Sequence, residues 1–245
     1  MAISAGPLVK FNPSVSFHVK CKTKDEVDTL WEKLSDGGRV LMPLDSYPFS
    51  ERFGWTEDRY GVSWQPIFTG GGETKQKIVP ALMFVGKVCG KTEEALNFYA
   101  EVFKNSSAAA DGSTNANILS RYGKGEEPDR EGTVRYASFT LAGQEFAAMD
   151  SAHEHKFAFN EAISFIVPCD TQQEIDYFWG KLSADPKAEQ CGWLKDKYGL
   201  SWQITPAVMR ELLSGNDKAR IERVTRAFLK MKKFDVAEIK RAAAG

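Results

Sequence analysis

Two glutamines occupy matching positions in two nearly identical stretches of the chain. DRYGVSWQ fills residues 58–65 and DKYGLSWQ fills residues 196–203, so Gln65 and Gln203 each follow a glycine by four residues. A glutamine oxygen can ligate a hard cation and its amide can hydrogen-bond a small molecule, but the side chain carries no charge. Both glutamines are therefore candidates for ligand binding and weak candidates for holding a metal.

The three histidines are the other side chains suited to acid–base or metal chemistry. His18 lies in the alternating stretch SVSFHVKC, where it could hydrogen-bond a ligand or act as a general base. A lone histidine on a polar strand face is more often only solvated. His153 and His155, in SAHEHKF, share one face of an extended chain and are weak metal candidates, since a polar connection is usually just solvated.

Strands must position these side chains, and alternation predicts which way they point. Val15, Phe17 and Val19 alternate with polar residues, which is typical of a half-buried strand. TKDEVDTLWEKL then shows helical spacing behind a Thr–Glu capping box, so the apolar strand face is expected to meet this helix. Trp64 and Trp202 are predicted to lie in the core. The opposite, open face is predicted to present Ser14, Ser16, His18, Ser63 and Gln65, with Ser164, Ser201 and Gln203 in the later copy.

The duplication extends well beyond eight residues. Residues 12–35 resemble residues 160–183 at a constant offset of 148, and residues 53–65 resemble residues 191–203 at an offset of 138. The difference is a ten-residue insertion in the first copy, within GGRVLMPLDSYPFSER. Each copy is predicted to be βαβββ or close to it, and a third unit of the same order lies between them. The chain therefore consists of three modules, at residues 1–68, 77–150 and 151–206, followed by a helical tail.

The inserted segment is a further candidate for ligand binding. MPLDSYPFSERFGW concentrates Asp45, Tyr47, Phe49, Arg52 and Trp55. Aromatic rings with one arginine suit an anionic or aromatic small ligand. Ordinary strand and edge packing is the alternative interpretation. Arg52 and Trp55 are the candidate binding residues.

Composition narrows the class of protein. The 245 residues carry a net charge of −1, with 32 basic and 33 acidic side chains intermixed, which predicts no nucleic-acid partner and no membrane partner. No apolar run reaches the length of a membrane span, and no signal peptide is evident. The four cysteines are widely spaced without a CxxC pair, as expected for a reduced, cytoplasmic protein.

Paired βαβββ modules with D-x-x-G-x-x-x-[EQ] on the last strand resemble the vicinal oxygen chelate superfamily of glyoxalases, extradiol dioxygenases and bleomycin-resistance proteins. CGWLKDKYGLSWQITP, EEALNFYAEVFKNS and FLKMKKFDVAEI are similar to its PhnB-like branch, often named 3-demethylubiquinone-9 3-methyltransferase. The resemblance implies an α+β fold in which two modules form a cup-shaped mixed sheet around a site.

The resemblance also implies metal-ligand positions, and this chain departs from them. The superfamily places a glutamate where Gln65 and Gln203 stand, and a histidine or glutamate near Ser14, Pro80 and Ala162. These residues make a poor donor set for a divalent metal. S-adenosylmethionine is not expected as a cofactor, because no GxGxxG opens a helix and the triple glycine at residues 70–72 lies in a linker.

By this resemblance, residues 77–206 form a complete two-module domain after a linker at residues 69–76, and residues 207–245 form the tail. Residues 1–68 match only a second half, since Met1–Ala5 aligns with the end of a module. The missing partner half reflects either a late start codon or truncation, or pairing with a second chain. We expect a homodimer formed through the N-terminal half-domain, because an unpaired curved sheet exposes edges and apolar surface.

Three functions remain open from the sequence. The first is binding of a small organic molecule in the sheet cup, which the poor metal-ligand set favours. The second is a divalent-metal-dependent lyase, isomerase or dioxygenase. The third is a structural or assembly role for the extra half-domain. The sequence does not identify the ligand or substrate, because fold does not determine function.

Overall fold

The computed structural model describes residues 9–72, 74–104 and 114–245 and divides into two compact units, residues 1–158 and 159–245. The predicted start of the first module, at residues 1–8, and Glu73 of the linker lie outside the described residues. No helix in the described ranges combines the length and apolarity needed to cross a membrane.

Unit 1, residues 1–158, contains the first two predicted modules. Its elements are β1 (Val15–Cys21), α1 (Lys24–Ser35), β2 (Arg39–Tyr47), β3 (Ser50–Glu57), β4 (Ser63–Phe68), β5 (Ile78–Val85), α2 (Thr92–Phe103), β6 (Asn115–Arg121), β7 (Val134–Leu141) and β8 (Gln144–Ser151). Each module thus has the predicted βαβββ order, and the ten-residue insertion lies in the β2–β3 hairpin.

The first and second modules share one mixed sheet of eight strands, in the order β2-β3-β4-β1-β5-β8-β7-β6. The two modules join where β1 pairs antiparallel with β5, from Val15 opposite Leu82 to Val19 opposite Ile78. This grouping differs from the one expected from the sequence, which left residues 1–68 without a partner in the chain and joined the second module to the third. β1 has a strand on each side, so unit 1 leaves no unpaired edge there.

The two helices of unit 1 lie on one face of the sheet, and the opposite face, whose central side chains are buried, is called the open face below only because these helices do not pack on it. α1 packs against β1 and β4, where Val19, Cys21 and Trp64 form a cluster with Val27 of the helix. α2 begins beside Asp150 of β8, and the pairing register places Asp150 on the same face as the side chains under α1. The face that carries even-numbered residues of β1 is the open face, as the alternation predicts.

Unit 2, residues 159–245, contains the third module and the C-terminal helices. Its elements are β9 (Ser164–Cys169), α3 (Gln172–Leu182), β10 (Trp193–Lys195), β11 (Ser201–Pro206), α4 (Met209–Leu212), α5 (Lys218–Phe228) and α6 (Val236–Ala244). The sheet has three strands, in the order β10-β11-β9. The module is therefore βαββ, one strand short of the prediction, because the chain here lacks the ten residues that complete the β2–β3 hairpin in unit 1.

The C-terminal segment is part of unit 2 and not a separate tail. The backbone amides of Cys191 and Gly192 donate to the carbonyls of Met231 and Lys232, beside β10. Phe234 is buried, and its carbonyl accepts a hydrogen bond from Gln172 at the start of α3. These contacts satisfy polar backbone groups next to the shortened strand.

The repeated DxYGxSW sequence forms the same turn in both units, with its aspartate as the central acceptor. In unit 2, Asp196 Oδ1 accepts from the amides of Tyr198 and Leu200, and Oδ2 accepts from Trp202 Nε1 at 2.8 Å. Asp58 makes the equivalent three bonds in unit 1. This turn orients the tryptophan toward the helix-covered face, which accounts for most of the repeated letters on structural grounds.

The turn requires a glycine, and this leads to a first prediction. Gly199 has φ +89°, a left-handed conformation that costs other residues about 1–2 kcal/mol. Gly199→Ala should therefore lower the free energy of unfolding of unit 2 by about 1–2 kcal/mol in urea denaturation. Gly180→Ala is the matched control in α3, where an added Cβ meets open space, and it should raise stability by about 0.5–1 kcal/mol. Equal effects of the two changes would contradict this account.

Candidate functional site

Buried polar side chains lie at the centre of the open face of unit 1, on the adjacent strands β1 and β4. The parallel register places Ser16 beside Ser63 and His18 beside Gln65. Gln65 Nε2 donates to Ser16 Oγ at 2.6 Å, and Gln65 also hydrogen-bonds with His18. Ser16 is 2% exposed and His18 6% exposed. The alternation of β1 and β4 thus brings together four residues predicted from the sequence.

His18 is a neutral imidazole in this position. Burial is the main reason that its pKa falls from the ordinary 6.5 to about 4, and the charge of Lys20 lowers it further. The hydrogen bond with Gln65 acts in the opposite direction and is outweighed. Near pH 7 the ring therefore offers one N–H donor and one acceptor nitrogen, and it is a weak base.

Tyr136, from β7, reaches across the sheet to His18. Two strands, β5 and β8, separate β1 from β7, which corresponds to about 14 Å in a flat sheet. The rings nevertheless stack with centroids 6.1 Å apart and planes within 11°. The small side chains of Ala81 and Ala147 lie between them, and Tyr136 packs over this pair. The open face is thus concave, with His18 and Tyr136 above a floor of small residues.

The Tyr136 hydroxyl is a second polar group available at this centre. Burial raises the pKa of Tyr136, and the charge of Glu145 raises it further, so the phenol is protonated near neutral pH. Within the described ranges its hydroxyl has no hydrogen-bond partner. Tyr136 is half-buried, and its hydroxyl is available to water or to a ligand. We call Ser16, His18, Gln65 and Tyr136 the central cluster.

The charged side chains nearest the central cluster form ion pairs. Lys20 Nζ lies 2.5 Å from Glu145 Oε1, joining β1 to β8. Farther along the sheet, Arg39 donates from Nε and Nη2 to the two carboxylate oxygens of Glu57, at 2.8 Å each. Each pair has no net charge, so neither creates a strong field of one sign over the open face.

The inserted segment places its two candidate residues on opposite faces. Trp55 lies on the open face, where its Nε1 donates to Ser63 Oγ at 2.7 Å. Arg52 lies on the helix-covered side, where its Nε donates to Asp28 of α1 at 2.6 Å. The structure thus does not bring Arg52 to the central cluster. Tyr47, Phe49 and Phe53 pack together at the tip of the β2–β3 hairpin.

The family of the chain follows from comparison with known proteins. The model of a family described as 3-demethylubiquinone-9 3-methyltransferase matches residues 1–67 and 76–205. The chain belongs to this family. The PhnB protein from Bacillus cereus is 42% identical to the chain, with 54% of this chain and 100% of that chain covered and a TM-score of 0.42. A search of curated proteins finds no match.

More distant solved structures also match this member of the PhnB-like family. A V278E mutant of glyoxalase I from Zea mays is 11% identical, covering 80% of this chain and 69% of that chain with a TM-score of 0.44. A glyoxalase/bleomycin resistance protein/dioxygenase superfamily member from Vibrio splendidus 12B01 is 12% identical, covering 56% and 97% with a TM-score of 0.30. The assignment of the fold rests on the strand order and register given above.

The metal site that the superfamily resemblance implies does not fit the residues of this PhnB-like chain. In unit 1 its positions hold Gln65, which is bonded to Ser16 and His18, and Ser14, whose Oγ donates to the Ala158 carbonyl at 3.2 Å. Pro80 offers no donor atom. Among the described residues, no three or more histidine, cysteine, aspartate or glutamate side chains are grouped so that they could hold a metal ion.

The histidines of the connecting segment have protein partners of their own. His155 Nε2 lies 2.8 Å from Ser151 Oγ, and His153 Nε2 lies 3.6 Å from the buried Asp129. Burial and the neighbouring His153 lower the pKa of His155. The two imidazole centroids are 6.3 Å apart, with an interplanar angle of 64°.

Unit 2 contains the later-copy candidates. Gln203 Nε2 donates to Ser164 Oγ at 2.8 Å, as Gln65 does to Ser16, and Ser201 is buried beside them. The Gln–Ser pair is thus a feature of the module in both units. Ile166 takes the place of His18, so the unit 2 counterpart of the central cluster lacks an imidazole.

Tyr136, which completes the central cluster, is not among the site residues predicted from the sequence. In VRYASFTL, Tyr136, Ser138 and Thr140 alternate with Ala137 and Phe139, so the strand pattern could have placed the tyrosine on the open face. The contact between Tyr136 and His18 could not be predicted from the sequence, because it depends on the strand order that places β5 and β8 between β1 and β7.

Proposed function

We propose that unit 1 binds a small, uncharged organic molecule on its concave open face, against the central cluster. The observation that carries this proposal is the stacked pair of a neutral His18 and a protonated Tyr136 whose hydroxyl has no hydrogen-bond partner among the described residues. The Tyr136 hydroxyl can donate to a ligand, and the His18 ring nitrogen that is not bonded to Gln65 can accept from one. Val79, Ala81 and Met149 supply apolar surface beside them.

The charge distribution supports an uncharged ligand. An anion bound at the central cluster would need a cation, and Lys20 is engaged by Glu145 while Arg52 is engaged by Asp28 on the other side of the sheet. A cationic ligand would be repelled by the positive charge of Lys20, which lies on the same face of β1 as His18. Hydrogen bonds from neutral groups, together with apolar contact, remain as the source of affinity and specificity.

The test compares matched fragments that differ only in charge. Benzamide and benzoate, and indole-3-acetamide and indole-3-acetate, are titrated against the full chain by saturation-transfer NMR. We expect the amides to bind more tightly than the carboxylates. Tyr136→Phe, which removes one hydroxyl, should weaken amide binding about fivefold, the loss of one hydrogen bond of about 1 kcal/mol.

The matched control is Gln203→Ala, which alters the equivalent polar pair in unit 2 and should leave amide binding unchanged. The proposal fails if no amide binds, if the carboxylates bind more tightly, or if Tyr136→Phe has no effect. S-adenosylmethionine belongs in the same series because the family description names methyl transfer. We expect it not to bind, since it carries a sulfonium charge and the central cluster offers no carboxylate.

A further inference from the structure

A serine and a histidine meet at the end of β8, outside the central cluster. Ser151 Oγ lies 2.8 Å from His155 Nε2, and Ser151 is 8% exposed. Val85 of β5 lies opposite Ser151 in the register, which places the serine two residues beyond Met149 on the open face. A serine hydroxyl within hydrogen-bond reach of an imidazole is the arrangement in which histidine activates serine as a nucleophile.

His155 has the protonation state and the orientation of a base. Burial is the main reason that the pKa of His155 lies below the ordinary 6.5, and the charge of His153 lowers it further. In the neutral tautomer that carries its proton on Nδ1, Nε2 accepts the hydroxyl proton of Ser151. The ring of Phe157 lies against the imidazole, with centroids 4.8 Å apart, and limits the orientations open to it.

Asp129 supplies the negative charge that favours a protonated His155. Asp129 is 8% exposed, its Oδ1 accepts from the Ala152 amide at 2.6 Å, and its Oδ2 lies 3.6 Å from His153 Nε2. The charge of Asp129 raises the pKa of His155, against the larger effect of burial. It therefore stabilises the imidazolium that forms when His155 takes the serine proton, which is the electrostatic part of the role of aspartate in a Ser-His-Asp triad.

We propose that Ser151 is a nucleophile for acyl transfer from activated esters, with His155 as its general base. Ser151 Oγ forms a bond to the carbonyl carbon of the ester while its proton passes to His155 Nε2. The bond from that carbon to the leaving oxygen then breaks, and the imidazolium gives its proton to the departing oxyanion. In the second step a water molecule attacks the acyl carbon, and its proton returns through His155 to Ser151 Oγ as the carboxylic acid departs.

Aryl esters are the expected substrate class because of their leaving group. An aryloxide departs readily, so a serine with one neutral base is sufficient for the first step. An amide leaves only when its nitrogen is protonated, which demands more of the acid form of the histidine. This activity goes beyond the ligand binding proposed at the central cluster and does not depend on it.

p-Nitrophenyl acetate tests the first step on the full chain. We expect a burst of about one equivalent of p-nitrophenolate per chain, followed by slower turnover. Mass mapping of peptides should then place one acetyl group on Ser151. Ser151→Ala should abolish the burst and the acetylated peptide. His155→Gln should slow acylation about 100-fold, which is the contribution of a general base.

Three control variants should retain the burst. His153→Gln removes the neighbouring imidazole, whose side chain is 62% exposed. Cys89→Ala removes a nearby thiol whose pKa is raised, chiefly by burial, so that little thiolate is present near pH 7. Tyr136→Phe alters only the central cluster, so a failure of ligand binding there and a failure of acylation at Ser151 are distinguishable.

The pH dependence and a second reagent complete the test. Because the pKa of His155 is lowered, the acylation rate should be constant between about pH 8 and pH 6.5 and fall below it. Phenylmethanesulfonyl fluoride should label Ser151 in the wild-type chain and remove the burst, which requires no variant to fold. Absence of a burst, a burst that survives Ser151→Ala in a folded protein, or an acetyl group found on Cys89 or lysine and not on Ser151 overturns the proposal.

Discussion

Asp150→Ala should lower the free energy of unfolding of unit 1 by about 4 kcal/mol, because it removes the acceptor for four donors, three of which make buried hydrogen bonds. Asp150 is 1% exposed. Its Oδ1 accepts from the amides of Gly90 and Thr92 and from Thr92 Oγ1, at 2.7, 3.3 and 2.8 Å. Its Oδ2 accepts from the Val134 amide at 3.0 Å. The carboxylate thus caps α2 from a neighbouring strand and ties it to β7 and β8.

Asp150→Asn keeps the size of the side chain but removes its charge and one of its two acceptor oxygens, so it separates these effects from the loss of side-chain volume. The asparagine oxygen can still accept from the Gly90 and Thr92 donors. The NH₂ group that replaces Oδ2 cannot accept from the Val134 amide, so that hydrogen bond is lost. We expect the free energy of unfolding of Asp150→Asn to lie between those of wild type and Asp150→Ala, about 2 kcal/mol below wild type in urea denaturation. Hydrogen exchange should show increased opening at Thr92 and Val134 in both variants.

Two matched aspartates serve as controls for this prediction. Asp36→Ala removes an exposed carboxylate paired with Arg59 and should cost less than about 1 kcal/mol. Asp196→Ala removes the buried turn acceptor of unit 2, so its exchange effects should lie in residues 159–245. A loss for Asp150→Ala no larger than that for Asp36→Ala would show that the donors around Asp150 find other partners.

Much of the local structure could be predicted because it depends on short-range rules. Alternation placed His18 and Gln65 on one face, and Thr23 of the predicted Thr–Glu capping box accepts from the Glu26 amide at the start of α1. Trp64 and Trp202 lie on the helix-covered side, as predicted, with each indole bonded to the aspartate of its turn. These features involve residues within one strand, one turn or one helix end.

The pairing of modules could not be predicted in the same way. Three similar modules present similar first strands, so sequence similarity alone does not say which two join. The structure joins β1 to β5 and leaves β9 at an edge. The Tyr136–His18 stack and the four bonds of Asp150 depend on that topology, which is why neither was evident from the sequence.

His18 should make the stability of unit 1 fall as the solution is acidified. Its folded-state pKa is about 4, whereas an unfolded histidine titrates near 6.5, so the unfolded chain takes up the proton first. The contribution of the neutral, buried ring is fully present above pH 6.5 and is lost as the pH falls toward 4. Between pH 7 and pH 4.5 we expect His18 to account for about 2 kcal/mol of lost stability.

The measurement is urea denaturation of wild type and His18→Gln at both pH values. Carboxylates also lose stabilising partners in acid, but they are common to both proteins, so the difference between the two pH dependences isolates the histidine. His18→Gln should reduce the loss by about 2 kcal/mol. Tyr136, which stacks on the ring, stays protonated across this range because its pKa is raised. If the acid loss is the same in wild type and His18→Gln, folding does not lower the pKa of His18, and the surroundings of the ring do not hold it neutral.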